Sequence, residues 1–342
     1  MTSDFWKNAR RWLPGAIIST LLVIAIVRFV DLRAVARAVQ HADPLLLLAA
    51  LALSVPWLGV RALLWRTLLR ERASFRDTFL TLGEGYLMNN FLPFRLGEMG
   101  RAFLLSRKSE LTFLEILPTI VIERVVDLAF SAALLAGAVP FVVGAAGAER
   151  VSLVVGGMVL VGLAVLYLMA RYREQTLAAY RRLSARWPVV QRFGGGMLTS
   201  FLNGLSVLTS PWRFIRFLFW SAFDWLIAVV EYYLIIAAFF PQAHLGWGAF
   251  GLGAAAFGGA VPSLPGAVGT FEGAFGGALT LLSGDQSTAL AVALTARLYN
   301  YLFSGIVGTY ALSLEGQTLA GVYRQLRNLR ARATDAPPDP PA

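Results

Sequence analysis

Residues 89–101 read NNFLPFRLGEMGR and follow an apolar run in a chain that is otherwise sparing with charge. Thirteen positions hold two asparagines, a proline, two glycines, two arginines and a glutamate. Of the 342 residues, 57% are hydrophobic and only 15% charged, against about 25% charged in an ordinary soluble domain. Apolar runs such as 13–30 and 288–312 recur, and about 20 such residues cross a bilayer as a helix. Lipid admits only helices and closed barrels, because the backbone must satisfy itself. The period-two alternation of a barrel strand is absent. The chain therefore reads as an all-α integral membrane protein, and 89–101 reads as a break in a helix at membrane depth.

Working outward, the apolar segments are 13–30, 44–64, 78–92, 116–143, 151–170, 212–240, 248–282 and 288–312. Lysine and arginine gather before residue 12, in 65–76, 95–110 and 171–192, and after 320, while 241–247 and 283–287 have none. Basic loops stay on the cytoplasmic side, which places both termini in the cytoplasm. Loop 31–43, with Arg33 and Arg37, is the weakest assignment to the outside. Segment 78–92 has basic loops on both flanks, and 248–282 has none on either. Neither fits a simple crossing. A re-entrant helical hairpin removes each conflict, the first dipping in from the cytoplasm and the second from outside. The expectation is about six full transmembrane helices plus two re-entrant hairpins. Lys7, Arg10 and Arg11 before 13–30 also suit a signal peptide, but that run is long for a signal core and reads as a retained span.

The two breaks resemble each other. Leu92-Pro93 is followed by Gly97 and Glu98, and Leu264-Pro265 by Gly269 and Glu272. Arg124 lies 31 residues after Pro93, and Arg297 lies 32 after Pro265. Units of about 44–143 and 212–312, entered from opposite sides, form an inverted repeat, an arrangement found in many transporters with broken helices near the midplane. Chance is the competing account, since Leu, Pro and Gly are common at membrane helix breaks. Pro93, Pro262 and Pro265 stop helices. Gly97, Gly266 and Gly269 permit tight turns and close approach. Asn89 and Asn90 are suited to bond the backbone groups that a break frees, and Arg95 and Arg101 to attract an anionic headgroup.

Bulk numbers exclude several functions. The net charge of +10 is explained by the basic loops, so no nucleic-acid partner is expected. The chain has no cysteine and only two histidines, His41 and His244, in separate loops, so no metal site is expected. No nucleophile constellation, nucleotide loop or HExxH motif is present. No catalytic residue and no cofactor is assigned, and the chain is not expected to be an enzyme.

Ionisable residues inside spans are costly and mark function. VIERVVD carries Glu123, Arg124 and Asp127, with Glu123 and Asp127 on one helical face. Arg95 or Arg101 on the neighbouring hairpin is a candidate partner. Asp224 and Glu231 are seven apart, also on one face; they line a cavity or pair with a cation such as Arg297. Arg297 either binds an anion or neutralises Glu272. Glu84 lies on the way into the first break. Arg61, near the end of its span, reads as an anchor that snorkels to the interface.

NNFLPFRLGEMGRAFLL, VIERVVD and PSLPGAVGTFEGAF together resemble the signature blocks of the lysylphosphatidylglycerol synthase transmembrane-region family, also called flippase-like integral membrane proteins. The resemblance runs from about residue 15 to 315. In the family's namesake enzymes, a region similar to a lipid flippase is joined to a soluble aminoacyl-transfer domain. Only 27 residues follow 315 here, so the resemblance implies the translocation half without the synthase half. The domain is expected to span 1–315, and 316–342 to form a cytoplasmic tail, basic and then Pro-rich and disordered. Some stand-alone members carry labels as glycolipid synthases or associate with hopanoid or polyprenyl-linked pathways, so the cargo does not carry over.

The expected function is a lipid translocase of the cytoplasmic (inner) membrane. Arg95, Arg101, Arg124 and Arg297 would meet a lipid phosphate. Glu98, Glu123, Asp127, Glu231 and Glu272 would orient those arginines or couple protons. Membrane lipids are the expected partners, with lipid-biosynthesis enzymes beside them. The alternatives are a membrane-embedded enzyme that transfers a group to a lipid or glycolipid carrier, and a non-transporting scaffold in envelope biosynthesis.

Overall fold

A computed structural model describes residues 32–92, 96–143, 171–184, 210–261 and 265–325, with scattered positions between 157 and 202. Ten helices of ten residues or more and one short 3-10 turn lie among these residues. They are α1 (Leu32–His41), α2 (Pro44–Leu68), α3 (Phe75–Phe91), α4 (Leu96–Lys108), α5 (Phe113–Val143), α6 (Arg173–Ser184), α7 (Pro211–Ala237), α8 (Leu245–Ala260), α9 (Thr270–Ser283) and α10 (Gln286–Leu314). The turn, Pro265–Ala267, lies between α8 and α9. Three described helices, α2, α7 and α10, are long and apolar enough to cross a membrane. The expected span 13–30 and most of 151–170 lie outside the described residues, as do 326–342.

The helix starts follow from local chemistry. Pro44 and Pro211 open α2 and α7 at positions whose amide has no helical partner. Asp43 caps α2 by accepting from the amides of Leu45 and Leu46 at 2.8 and 3.3 Å. Ser74 caps α3 through the Asp77 amide, and Asp285 caps α10 through that of Thr288. The segment expected as outside loop 31–43 is largely helix α1. It buries Val35 against Leu290 and Ala291 of α10.

Pairs at the helix ends fix directions. The Asp43 amide donates to the Ala238 carbonyl at 2.9 Å, joining the start of α2 to the end of α7. Glu71 and Arg216 pair at the opposite ends of the same two helices, so α2 and α7 run antiparallel. Arg72 pairs with Glu115 at 2.8 Å, and Lys108 pairs with Glu315. The ends of α2, α4 and α10 and the starts of α3, α5 and α7 therefore share one end of the bundle. The end of α7 and the starts of α2, α8 and α10 share the other.

Packing is symmetrical in chain order. Helix α2 packs on α3, α3 on α4, and α4 on α5; correspondingly, α7 packs on α8, α8 on α9, and α9 on α10. Each half also reaches into the other, with α3 against α10 and α8 against α5. One buried cluster, with Trp65, Leu82, Leu105, Ile122 and Phe217, ties α2, α3, α4, α5 and α7 together. A second, with Ile236, Phe275, Leu279 and Val292, ties α7 to α10. Residues 319–325, placed in the tail by sequence, are helical. Leu319, Val322 and Tyr323 pack on Leu87, Leu92 and Leu104.

The α3–α10 contact requires glycine. A Cβ on Gly308 would lie 2.5 Å from that of Leu87 and 2.7 Å from the Gly83 carbonyl. Overpacking of this kind costs about 1–3 kcal/mol, so Gly308→Val should lower the unfolding midpoint in detergent. Gly305→Ala, which meets nothing within 4 Å, should leave that midpoint almost unchanged. A second outcome concerns Glu115, at the bundle end. The Thr112 amide, then Arg72 and the Thr112 hydroxyl, hold its carboxyl down to about 2, from an ordinary 4.5. A lowered folded value gives stability that is present above the unfolded value and lost as pH falls through the folded one. Wild type should exceed Glu115→Gln in unfolding midpoint at pH 7, and the difference should vanish between pH 4.5 and 2.

Candidate functional site

On α2, Ser54, Leu58, Arg61 and Trp65 are all buried. Their spacing of four, three and four places them on one helical stripe. Arg61, only 3% exposed, sits at the centre of an ion cluster. Its Nη1 donates to Asp127 Oδ1 at 2.9 Å and to Asp224 Oδ2 at 2.8 Å. Its Nη2 donates to Glu123 Oε1 at 2.7 Å and also to Asp127 Oδ2. One guanidinium thus joins α2, α5 and α7. The expectation of a snorkelling anchor is overturned: Arg61 turns inward because three carboxylates converge there. At 1.5 Å per residue, Arg61, Glu123 and Asp224 lie about 10–20 Å in from the shared end of their helices.

Helix α4 adds the second layer. Arg101 Nη1 donates to Glu123 Oε1 at 3.2 Å, and its Nη2 lies 3.1 Å from Glu98. The Arg101 guanidinium stands 4.7 Å from the centre of the Trp65 ring, whose N–H is fixed on Thr119 at 3.0 Å. Arg124 reaches Glu123 at 2.6 Å, Asp127 at 3.4 Å and Glu98 at 3.6 Å. Three guanidiniums (Arg61, Arg101, Arg124) therefore face four carboxylates (Glu98, Glu123, Asp127, Asp224). Arg124 is the accessible member, its side chain 43% exposed. It stands among the exposed apolar residues Val121, Val125 and Leu128 of α5.

The break after α8 carries its own centre. Gly266, Ala267 and Gly269 adopt positive φ of 70°, 56° and 88°, conformations that free the backbone from helical bonding. Arg297 of α10 gathers what is freed, donating to the carbonyls of Gly266 and Ala267. It also pairs with Glu272 at 2.6 Å, and Glu272 in turn accepts from the Gly269 amide at 2.8 Å. Phe271 lies under the guanidinium at 4.4 Å. Of the two sequence readings of Arg297, the structure displays the pairing with Glu272.

The two breaks lie against each other. The start of the 265–267 turn packs on α3, and a Cβ on Gly266 would come within 3.3 Å of the Asn90 carbonyl. Asn90 donates to Ser304 Oγ at 2.7 Å and contacts the Asn300 carbonyl at 3.4 Å, both on α10. Asn89 donates to Glu98 at 3.4 Å. Gly97 approaches α3 so closely that a Cβ would overlap the Gly85 carbonyl and the Asn89 side chain. Glu231 accepts from Ser54 Oγ at 2.9 Å, not from Arg297. Pro93, Arg95 and Pro262 lie outside the described residues, and Pro265 opens the 3-10 turn.

Sequence reading also passed over a pairing between α4 and α3. Lys108 reaches Glu84 at 2.9 Å, Thr81 at 3.0 Å and Glu315. Lys108 and Glu84 are 24 residues apart in the chain, a spacing that carries no signal of the pair. For Arg61 a signal did exist: the buried stripe at helical spacing. Distance from the helix end was weighed instead. Among the described residues, no group of three or more His, Asp or Glu is arranged to hold a metal ion.

An all-helical bundle with apolar helices and ion clusters in its interior is the architecture of a membrane protein. The chain belongs to the family described as "Lysylphosphatidylglycerol synthase TM region", whose model matches residues 12–308. No curated protein and no solved structure matches the chain.

Removing Arg61 would leave Glu123, Asp127 and Asp224 without their shared cation. Breaking one buried pair typically costs about 3–5 kcal/mol. Arg61→Met should therefore lower the unfolding midpoint in detergent far more than Arg72→Met, which removes a half-exposed pair of small worth.

Proposed function

We propose that this protein is a lipid translocase of the cytoplasmic (inner) membrane, with both termini in the cytoplasm, moving a lipid with an anionic headgroup. In this reading α3–α4 and α8–α9 are re-entrant hairpins that enter from opposite faces. Units 44–143 and 212–312 form an inverted repeat within about six spans. The shared helix ends support it: α3 leaves from, and α4 returns to, the end that holds Arg72, Lys108 and Glu315. Helices α8 and α9 begin and finish near the end that holds Asp43 and Ala238. The reciprocal packing of α3 on α10 and α8 on α5 is what a two-fold relation between the units requires. The first end gathers Arg66, Arg70, Arg72, Arg76, Arg107 and Lys108, which supports reading it as the cytoplasmic one.

The observation that carries the lipid reading is Arg124. It offers a half-open guanidinium beside an exposed apolar strip on α5, while carboxylates hold it from behind. A lipid lying along that strip would bring its phosphate to the guanidinium with its tails still in the bilayer. Two other arginines expected to meet phosphate are otherwise occupied. Arg101 and Arg297 are tied to carboxylates and backbone, and Arg95 lies outside the described residues. Arg101 and Arg297 therefore act as scaffolding for the tips, and Arg124 as the first phosphate contact. Rocking of the two units about their contact at Asn90 and Gly266 would then expose the headgroup to the other face. No bond in the lipid is made or broken, so this reading assigns no catalysis. Lipid-biosynthesis enzymes are the natural partners, since they supply the cargo.

The test is transport. Proteoliposomes carrying fluorescent phosphatidylglycerol are quenched from outside with dithionite. A charged hydrogen bond is worth about 1.5–3 kcal/mol, so Arg124→Gln should slow translocation by roughly 10- to 100-fold. Equal rates for wild type and Arg124→Gln would overturn the assignment of Arg124. Wild-type vesicles that move no faster than empty ones would overturn the translocase reading.

A further inference from the structure

Seven carboxylates lie in the described helices at membrane depth: Glu84, Glu98, Glu123, Asp127, Asp224, Glu231 and Glu272. Six of them have a cation. Lys108 holds Glu84; Arg61, Arg101 and Arg124 hold Glu98, Glu123, Asp127 and Asp224; Arg297 holds Glu272. Glu231 alone has none among the described residues. Its hydrogen bond is with the Ser54 hydroxyl, 2.9 Å away across the α2–α7 contact.

The surroundings offer Glu231 no charge partner. On its own helix the nearby groups are Asp224, two turns away, and Tyr232. Helix α2 presents Ser54; of its two arginines, Arg61 is consumed by Asp224, Asp127 and Glu123, and Arg66 donates to the Ala73 carbonyl at the far end of the helix. From α10, Arg297 and Asn300 approach Tyr232, and Arg297 is committed to Glu272. Helix α9 contributes Phe275, its ring tilted against Tyr232 with centroids 5.2 Å apart; Glu272 is its one ionisable residue. Helix α8 has no ionisable residue. A carboxylate left ionised and unpaired in such a place is expensive, and the usual outcome is that it takes up a proton.

Position adds the second argument. Glu231 lies six residues from the end of α7 at Ala237, about 9 Å from that end of the bundle. Asp224, facing the Arg61 cluster, is about 10 Å further along the same face. Glu231 is also half-buried, so a proton can reach it. It stands at the contact between α2 and α7, one helix from each unit.

We propose that Glu231 is the proton-carrying site of the transport cycle, taking a proton from one face of the membrane and releasing it to the other with each lipid moved. The proposal rests on the translocase reading. The step is a transfer from water to a Glu231 carboxylate oxygen and back to water, with no redox change and no bond broken in the lipid. The six paired carboxylates each face a cation, and their role is to hold the helices.

Two measurements test it. The first needs no transport. Infrared spectra of the purified protein at pH 7 should show a protonated-carboxyl C=O stretch that Glu231→Gln removes and Glu272→Gln leaves. A wild-type spectrum without that band, or a band unchanged in Glu231→Gln, overturns the proposal. The second uses the phosphatidylglycerol vesicles with an imposed gradient of one pH unit. One proton per lipid shifts the steady-state ratio between leaflets by up to about tenfold. Glu231→Gln should still move lipid with a ratio that ignores the gradient, and Glu231→Asp, which keeps an acid, should retain the response. A Glu231→Gln protein that responds like wild type, or a wild type that ignores the gradient while moving lipid, overturns proton coupling and leaves the translocase reading standing. A wild type that moves no lipid at any pH overturns both.

Discussion

One guanidinium holds the middle of this protein together. Arg61 binds carboxylates from α5 and α7 while it sits on α2, and so joins three helices that the chain lays down far apart. In water such an arrangement is worth little, because every member would be solvated anyway. In a bilayer the members have no comparable alternative, and each depends on the others to remain ionised. The apolar faces place the helices side by side. The charges then fix their rotation, because Arg61 reaches Asp127, Glu123 and Asp224 together from one stripe of α2 only.

The broken helices obey the same constraint through a different device. Positive φ at Gly266, Ala267 and Gly269 releases carbonyls and amides that a helix would have paired. Arg297 takes the carbonyls, and Glu272 takes the Gly269 amide and the remaining face of Arg297. The break is thus closed on itself by one ion pair and costs little exposed backbone. Beside the other break, Asn90 reaches across to Ser304 of α10. At Gly266, Ala267 and Gly269 the freed backbone groups thus find protein partners, the condition under which lipid tolerates irregular backbone.

Much of this was readable from the chain. Helices α2, α3, α5, α7 and α10 fall within a few residues of the apolar runs, because hydrophobic length in a bilayer is a strong signal. The division of 248–282 into α8, a turn and α9 follows from its two prolines and from Gly266 and Gly269. Glu123 with Arg101, and Arg297 with Glu272, were among the pairings named from spacing. Side-chain rotation was not legible. Arg61 lies seven residues from the end of its helix, and the interface lies as close as the interior by that measure. The helical stripe from Ser54 to Trp65 distinguishes them, but only when the partner carboxylates on α5 and α7 are known to face it. Lys108 with Glu84 was hidden for a related reason: that contact exists only because α4 doubles back along α3. The helix α1 was read as a loop because it is too short and too charged to announce itself as a span.

The exchange of partners between the halves has a consequence for biosynthesis. Asn90 finds its bond on Ser304, 214 residues later, and the groove at Gly83 waits for Gly308. At roughly 5–20 residues per second, α10 emerges on the order of ten to forty seconds after α3. During that interval the first break, with its asparagines and buried glutamate, has no finished wall to lean on. The nascent polypeptide must be sheltered by the insertion machinery until its last long helix arrives, and assembly closes from the carboxyl-terminal side backwards.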